Sequence, residues 1–271
     1  MYETVERTLS HEKIEYFSIV PYSLCREINA GLRERIDFVP RCVVIYLLPY
    51  YTGVGENISR YAVSLDYHIA IREIGREVIA TLSQHYPEAR FAAFGDHSPI
   101  DERHAALISG LGIRGDNGLL INEKYGSYVF VGDILTDIEP CDFEPSEILR
   151  CRGCGACRRA CPTGILRGEG KDCLSAISQR KGELSEEEKA LMRRVNTAWG
   201  CDECQSVCPY NLKAEKTPVD FFYRERITAL TRDKLDRMDK ESFSRRAFAW
   251  RGRKTVERNL EILEKSNSVN M

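Results

Sequence analysis

Residues 151–164 read CRGCGACRRACPTG, which sets Cys151, Cys154, Cys157 and Cys161 in the spacing C-x2-C-x2-C-x3-C-P. This is the bacterial run that ligates 4Fe–4S clusters. Two-residue spacers wrap the chain around three irons of one cubane. The fourth cysteine, followed by Pro162, turns away to a second cluster. Residues 201–209, CDECQSVCP, repeat the end of the pattern with Cys201, Cys204 and Cys208. The local place of a first cysteine is held by Ala198, so Cys173 is the remaining candidate, displaced by a segment that reads as helices. One cluster then takes Cys151, Cys154, Cys157 and Cys208, and the other takes Cys161, Cys173, Cys201 and Cys204. All eight cysteines between 151 and 208 are used. Paired C-x2-C motifs also suit a four-cysteine zinc site, but zinc requires neither the C-x3-C-P continuation nor two interlocked sets. Cys25, Cys42 and Cys141 read as ordinary thiols.

The rest of the composition is that of a soluble protein. The chain has 271 residues, 43% hydrophobic and 30% charged, and 11 cysteines. Its 39 Lys and Arg against 41 Asp and Glu leave a net charge of -2, so no global field marks a polyanion binder. No apolar run approaches the ~18 residues of a membrane span. The longest run, Cys42 to Tyr51, is strand-sized. The polar start MYETVERTLS lacks the apolar core of a signal peptide. The expectation is a cytoplasmic protein with no membrane partner, in a compartment where clustered thiols bind metal rather than pair.

Working outward, residues 12–20, 42–48 and 91–95 read as strands, and 64–85 and 100–111 as helices. Residues 118–122 and 127–135 read as a strand pair around the turn Glu123–Gly126. The alternation predicts an α/β domain over 1–140. A ferredoxin-like two-cluster module with a helical insertion follows over 141–215, and then a short helical tail over 216–271. From Arg224 to Arg258 there are 12 Lys and Arg against 6 Asp and Glu. That excess reads as a solvated helical face or as a patch for RNA phosphates. GLGIRG at Gly110–Gly115 matches G-x-G-x-x-G, but it follows a helix and precedes a strand, the reverse of a dinucleotide fingerprint.

Clusters move electrons one at a time, and with a cysteine on every iron they perform no chemistry on a substrate. The first half must therefore hold an acceptor or second cofactor, or else the chain is an electron carrier. In GDHSPIDER (95–103), Asp96 ends a strand, where α/β sheets place ligands. It is a candidate general acid. It could equally cap the helix that starts near Pro99.

Several segments occur in a telling order: RYA (60–62), DYH (66–68), D-x-x-P-x-x-E-R from Asp96, LG (111–112), G-x-N-x-LLIN from Gly115, and GSY-x-F-x-G-x-I-x-TD from Gly126. The cysteine run and GCDECQSVCPYN then follow. Together they resemble the epoxyqueuosine reductase family, the cobalamin-dependent iron–sulfur enzymes of queuosine tRNA modification, over about residues 55–265. The resemblance implies a cobalamin-binding α/β domain, with Arg60, Tyr67, His68, Gly115, Asn117 and Gly126 as cofactor contacts. It implies Asp96 as proton donor, a tRNA anticodon loop as substrate, and an external low-potential donor such as a flavodoxin or ferredoxin. Three departures stand out: Asp116 where family members carry lysine, Asp101 for an apolar residue, and His97 for a small one. The chain also ends where many members add a helical-repeat domain. The competing readings are a related corrinoid iron–sulfur reductase of another small substrate and a two-cluster electron carrier.

Overall fold

Strand β2 (Cys42–Pro49), CVVIYLLP, is buried at all eight positions, so it needs a neighbour on each side and cover on each face. The computed structural model, which describes residues 1–53, 55–140 and 142–267, supplies both. Cys141 lies outside the described residues. The chain divides into two compact units. The first comprises Met1–Tyr50, His68–Gly153 and Ala214–Val219. The second comprises Tyr51–Tyr67, Cys154–Lys213 and Asp220 onward. A linear division at 140 and 215 does not follow these units. Residues 51–67 and the tail group with the cysteines, whereas 214–219 group with the first unit.

In the first unit, α1 (Tyr2–His11) buries Val5 and Leu9. Then come β1 (Phe17–Pro21), α2 (Ala30–Arg33), β2, α3 (Tyr67–His85), β3 (Phe91–Gly95), α4 (Glu102–Ile108), β4 (Ile113–Arg114), β5 (Leu120–Ile121) and β6 (Val129–Thr136). The sheet order is β1-β2-β6-β3, and every pairing is antiparallel. The region is thus mixed α/β, but the crevice rule for parallel sheets has no purchase on it. The expected strand pair 118–122/127–135 is not formed. β5 pairs with β4, β6 runs between β2 and β3, and only the Asn122–Gly126 bridge marks the turn. β2 is the reason: its continuous apolar run draws β6 into an eight-residue ladder.

One face of the sheet packs Val43, Ile45, Leu47, Val131 and Leu135 against Ala105, Ala106 and Leu107 of α4. The other meets α3 at close range. A Cβ on Gly95 would lie 2.5 Å from Ile71 Cδ1, and one on the opposite Gly132 would lie 2.5 Å from the Tyr46 hydroxyl. Glycine is required there by space.

In the second unit, α5 (Ala156–Ala160), α6 (Leu174–Gln179), α7 (Glu186–Val195) and α8 (Glu203–Ser206) carry the cysteine module. α9 (Arg232–Asp236), α10 (Lys240–Ser244) and α11 (Arg253–Asn267) form the tail. The segment between Cys173 and Cys201 is helical as read. α7 opens with a capping box of Ser185 and Glu188. Leu174, Ile177, Leu184 and Met192 pack on Ile262 of α11. Part of the basic excess is bonded internally, while Arg224, Arg226, Lys234, Arg237, Lys240 and Lys254 are exposed. Arg246 is buried and donates to the Glu225 carbonyl; Arg253 donates to the Leu235 and Met238 carbonyls at 2.6 Å each; Arg258 donates to that of Arg180 at 2.7 Å. These arginines tie loops together and are not available as a phosphate patch.

Gly132→Ala forces its methyl into the Tyr46 ring. Chemical denaturation should show a loss of about 1–3 kcal/mol, the usual cost of overpacking. An unchanged midpoint would mean that the Tyr46 ring does not lie this close to Gly132.

Candidate functional site

Chain geometry presents the cysteines in distinct ways. The segment Leu149–Cys151 is held along β4: Arg114 N–H donates to the Leu149 carbonyl (2.8 Å) and Cys151 N–H to the Arg114 carbonyl (2.9 Å). This brings the Cys151 sulfur under the backbone N–H of Asp116, at 3.4 Å. Gly153 (φ +65°) and Gly155 (φ +71°) turn the chain sharply on either side of an exposed Cys154. Cys157 lies on α5 and Cys161 ends it. Burial pushes the Cys161 thiol up, but N–H groups of Leu166, Thr163 and Gly164 and the Thr163 hydroxyl outweigh it and leave it lowered. A sulfur in a nest of donors is suited to act as a thiolate ligand.

Cys201 is the opposite case. Burial first, then the neighbouring Cys173 and Cys204 sulfurs, push it up to about 12, against one lowering N–H from Glu203. The Cys173 and Cys204 sulfurs thus lie near enough to Cys201 to act on it electrostatically. Among the described residues no three His, Cys, Asp or Glu side chains gather at single-ion spacing.

The RYA segment serves the second cysteine run. Residues 57–59 lie along 198–199, with Ala198 N–H to the Asn57 carbonyl (2.7 Å) and Ser59 N–H to the Trp199 carbonyl (2.8 Å). Asp202, between Cys201 and Cys204, accepts from Ser59 Oγ (2.5 Å), the Arg60 N–H (2.7 Å) and Arg60 Nη1 (3.1 Å). Tyr61 Oη accepts the Trp199 indole N–H at 2.9 Å. Arg60 is thus engaged with Asp202, a role that its motif did not disclose.

The other predicted cofactor contacts lie as follows. Tyr67 is buried and His68 half-buried at the first turn of α3. Gly126 (φ +58°) closes the turn onto which Asn122 N–H donates at 2.8 Å. Gly115 and Asn117 share one loop: a Cβ on Gly115 would stand 2.5 Å from Asn117 Oδ1, which accepts Leu119 N–H. The Asn117 amide nitrogen is buried with no hydrogen-bond partner. An orphaned buried donor costs ~1–3 kcal/mol. A ligand carbonyl at that point removes the cost, so the loop fits a cofactor rich in amide acceptors, as cobalamin is.

Asp96 follows Gly95 with φ +63°, a left-handed conformation rare outside glycine, and its side chain is exposed. It does not cap α4. Asp101 does, accepting His104 N–H at 3.0 Å. The capping alternative for Asp96 is thus overturned, and the acidic residue at 101 has a structural purpose. Behind this turn lies a residue that the sequence reading passed over. Asp133, fully buried in β6, accepts from Ser98 Oγ at 2.9 Å. Burial, with a minor contribution from Glu102, pushes its carboxyl up to about 7 against the lowering bond from Ser98. A charged residue inside the apolar stretch VGDIL was the available signal.

Comparison with known proteins bears on the fold and the cysteine module. Residues 150–211 match the family description "4Fe-4S double cluster binding domain". Epoxyqueuosine reductase of Listeria monocytogenes is 36% identical over 95% of this chain and 72% of that protein. A crystal structure of an epoxyqueuosine reductase with an epoxyqueuosine-modified tRNA-Tyr stem loop superposes with TM-score 0.77 at 22% identity, covering 97% of this chain and 81% of that one. The Bacillus subtilis enzyme superposes with TM-score 0.76 at 23% identity over 97% and 81%, in a state whose catalytic aspartate loop is swung out of the active site.

Fold and cysteines together define a double-cluster iron–sulfur oxidoreductase. Within that class, the chain belongs to the epoxyqueuosine reductase family.

Because the folded state binds the Asp133 proton more tightly than the unfolded chain, the contribution of this group to stability is greatest at low pH. It falls as pH rises from about 3.8 to about 7. Asp133→Asn, which cannot ionise, should be more stable than the parent by on the order of a few kcal/mol at pH 8. The advantage should shrink below pH 7. Denaturant midpoints measured across pH test this, and a gap constant with pH would contradict it.

Proposed function

We propose that this chain reduces epoxyqueuosine in tRNA to queuosine, using two 4Fe–4S clusters and a bound cobalamin. The observation that carries the reading is the Asp116 N–H on the Cys151 sulfur. It joins a cluster ligand to the loop in which Gly115 and Asn117 would hold the corrinoid. Tyr67, His68 and Gly126 are further contacts. Arg60 contributes by holding Asp202, and with it the turn between Cys201 and Cys204.

Converting the epoxide to an alkene breaks two C–O bonds and releases the oxygen as water, which takes two electrons and two protons. Cobalamin, when bound, supplies the strongly reducing cobalt centre that this bond cleavage requires. The chain supplies the rest. Cys151, Cys154, Cys157 and Cys208 hold one cluster, and Cys161, Cys173, Cys201 and Cys204 the other. Cys173 is exposed, which suits a cluster that receives electrons from a flavodoxin or ferredoxin. Asp96 delivers a proton from its carboxyl oxygen to the departing oxygen, and its exposure lets solvent replace that proton. The tRNA-bound relative and the aspartate-loop relative support this choice of substrate and acid.

After anaerobic reconstitution with iron, sulfide and cobalamin, the chain should convert epoxyqueuosine in tRNA to queuosine under a low-potential reductant. Failure with clusters and corrinoid in place would overturn the substrate. Asp96→Asn should leave iron content and tRNA binding intact and slow single turnover by about 10²–10⁴-fold, the range of general acid catalysis. An undiminished rate would remove Asp96 from the chemistry. Cys173→Ala should lose iron from one cluster only, and a full eight irons would break the split assignment.

A further inference from the structure

We propose that Asp133 is a positioning residue of this enzyme: through Ser98 its buried carboxyl latches the turn that presents Asp96. The inference rests on Asp96 being the proton donor. The turn needs a latch, because Asp96 sits at φ +63°, a conformation that costs an L-residue energy unless its surroundings enforce it. The far end of the turn is held by main chain. Ile28 and Asn29 N–H donate to the Pro99 carbonyl (2.9 and 3.1 Å), and Asp101 N–H donates to the Arg26 carbonyl (2.8 Å). Nearer to Asp96, the hold is through a side chain. Ser98 is buried, its hydroxyl donates to Asp133 Oδ2 at 2.9 Å, and it accepts Ile100 N–H at 3.3 Å.

Asp133 has no purpose in the sheet itself. It stands opposite Ile45 of β2 and Phe94 of β3, where an apolar residue would pack at less cost, and its Oδ1 is buried with no partner. The titratable groups that act on it or feel its charge are Glu102 of α4, Cys25 and Tyr46 of β2. None is a cation, so nothing compensates a buried carboxylate. The Ser98 hydroxyl is therefore the donor that holds Asp133, and it donates to the carboxyl in either protonation state.

Hydrogen exchange of the reconstituted protein, corrected for intrinsic exchange rates, tests this on peptides spanning 96–101. Ser98→Ala should raise exchange there about tenfold and slow single turnover of epoxyqueuosine tRNA at least tenfold. The cluster absorbance and tRNA affinity should hold. Asp133→Asn, which keeps an acceptor for the Ser98 hydroxyl, should retain the parent's protection, and Asp133→Leu, which removes the acceptor, should lose it as Ser98→Ala does. Protection unchanged by Ser98→Ala or by Asp133→Leu would overturn the latch. Lost protection with undiminished turnover would overturn its positioning role. A parent protein that fails on epoxyqueuosine tRNA condemns the substrate, while the exchange data still decide the latch.

Discussion

The backbone N–H of Asp116 against the Cys151 sulfur is the contact on which the account turns. Donors around a cluster thiolate tune its potential and fix its place. Here the donor comes from the short β4–β5 connection, and that connection is rigid because Gly115, Asn117 and Leu119 bond within it. The main-chain bonds of residues 149–151 to Arg114 bring the sulfur to it. The first cysteine of the run and the Gly115–Leu119 loop are thereby in direct hydrogen-bond contact. The contact also explains a departure from the family pattern. The group that meets the sulfur is a main-chain amide, so the change from lysine to Asp116 does not remove it.

The cysteine module was legible because its information is local. Spacers of two and three residues are dictated by a cubane, and the segment between Cys173 and Cys201, which reads as helices, is helical, with a Ser185 capping box at the start of α7. Long-range partners were not legible in the same way. The apolar run of β2 shows that it is buried, but not that β6 crosses between β2 and β3 to reach it. The residues around RYA carry no sign that Asp202, more than a hundred residues on, is their partner.

The carboxylates make the same point at the site. In GDHSPIDER either Asp96 or Asp101 could cap the following helix, and only the backbone conformation separates them: Asp101 bonds His104 N–H, while Asp96 takes the left-handed turn. Asp133 occupies an unspecified position of its motif, and its meaning comes from Ser98, thirty-five residues away in sequence. A charge sum does not tell an arginine facing solvent, as Arg237 does, from one bonded to carbonyls, as Arg246 and Arg253 are.

The central claim is that one chain holds two clusters and a corrinoid in electronic contact. It is tested most directly by counting iron and cobalt in the anaerobically reconstituted protein after gel filtration, then following the cobalt absorbance as the clusters are reduced. The account predicts eight irons and one corrinoid per chain, with the cobalt reduced through the clusters. Eight irons with no retained corrinoid, or a corrinoid that the reduced clusters leave unchanged, would contradict it.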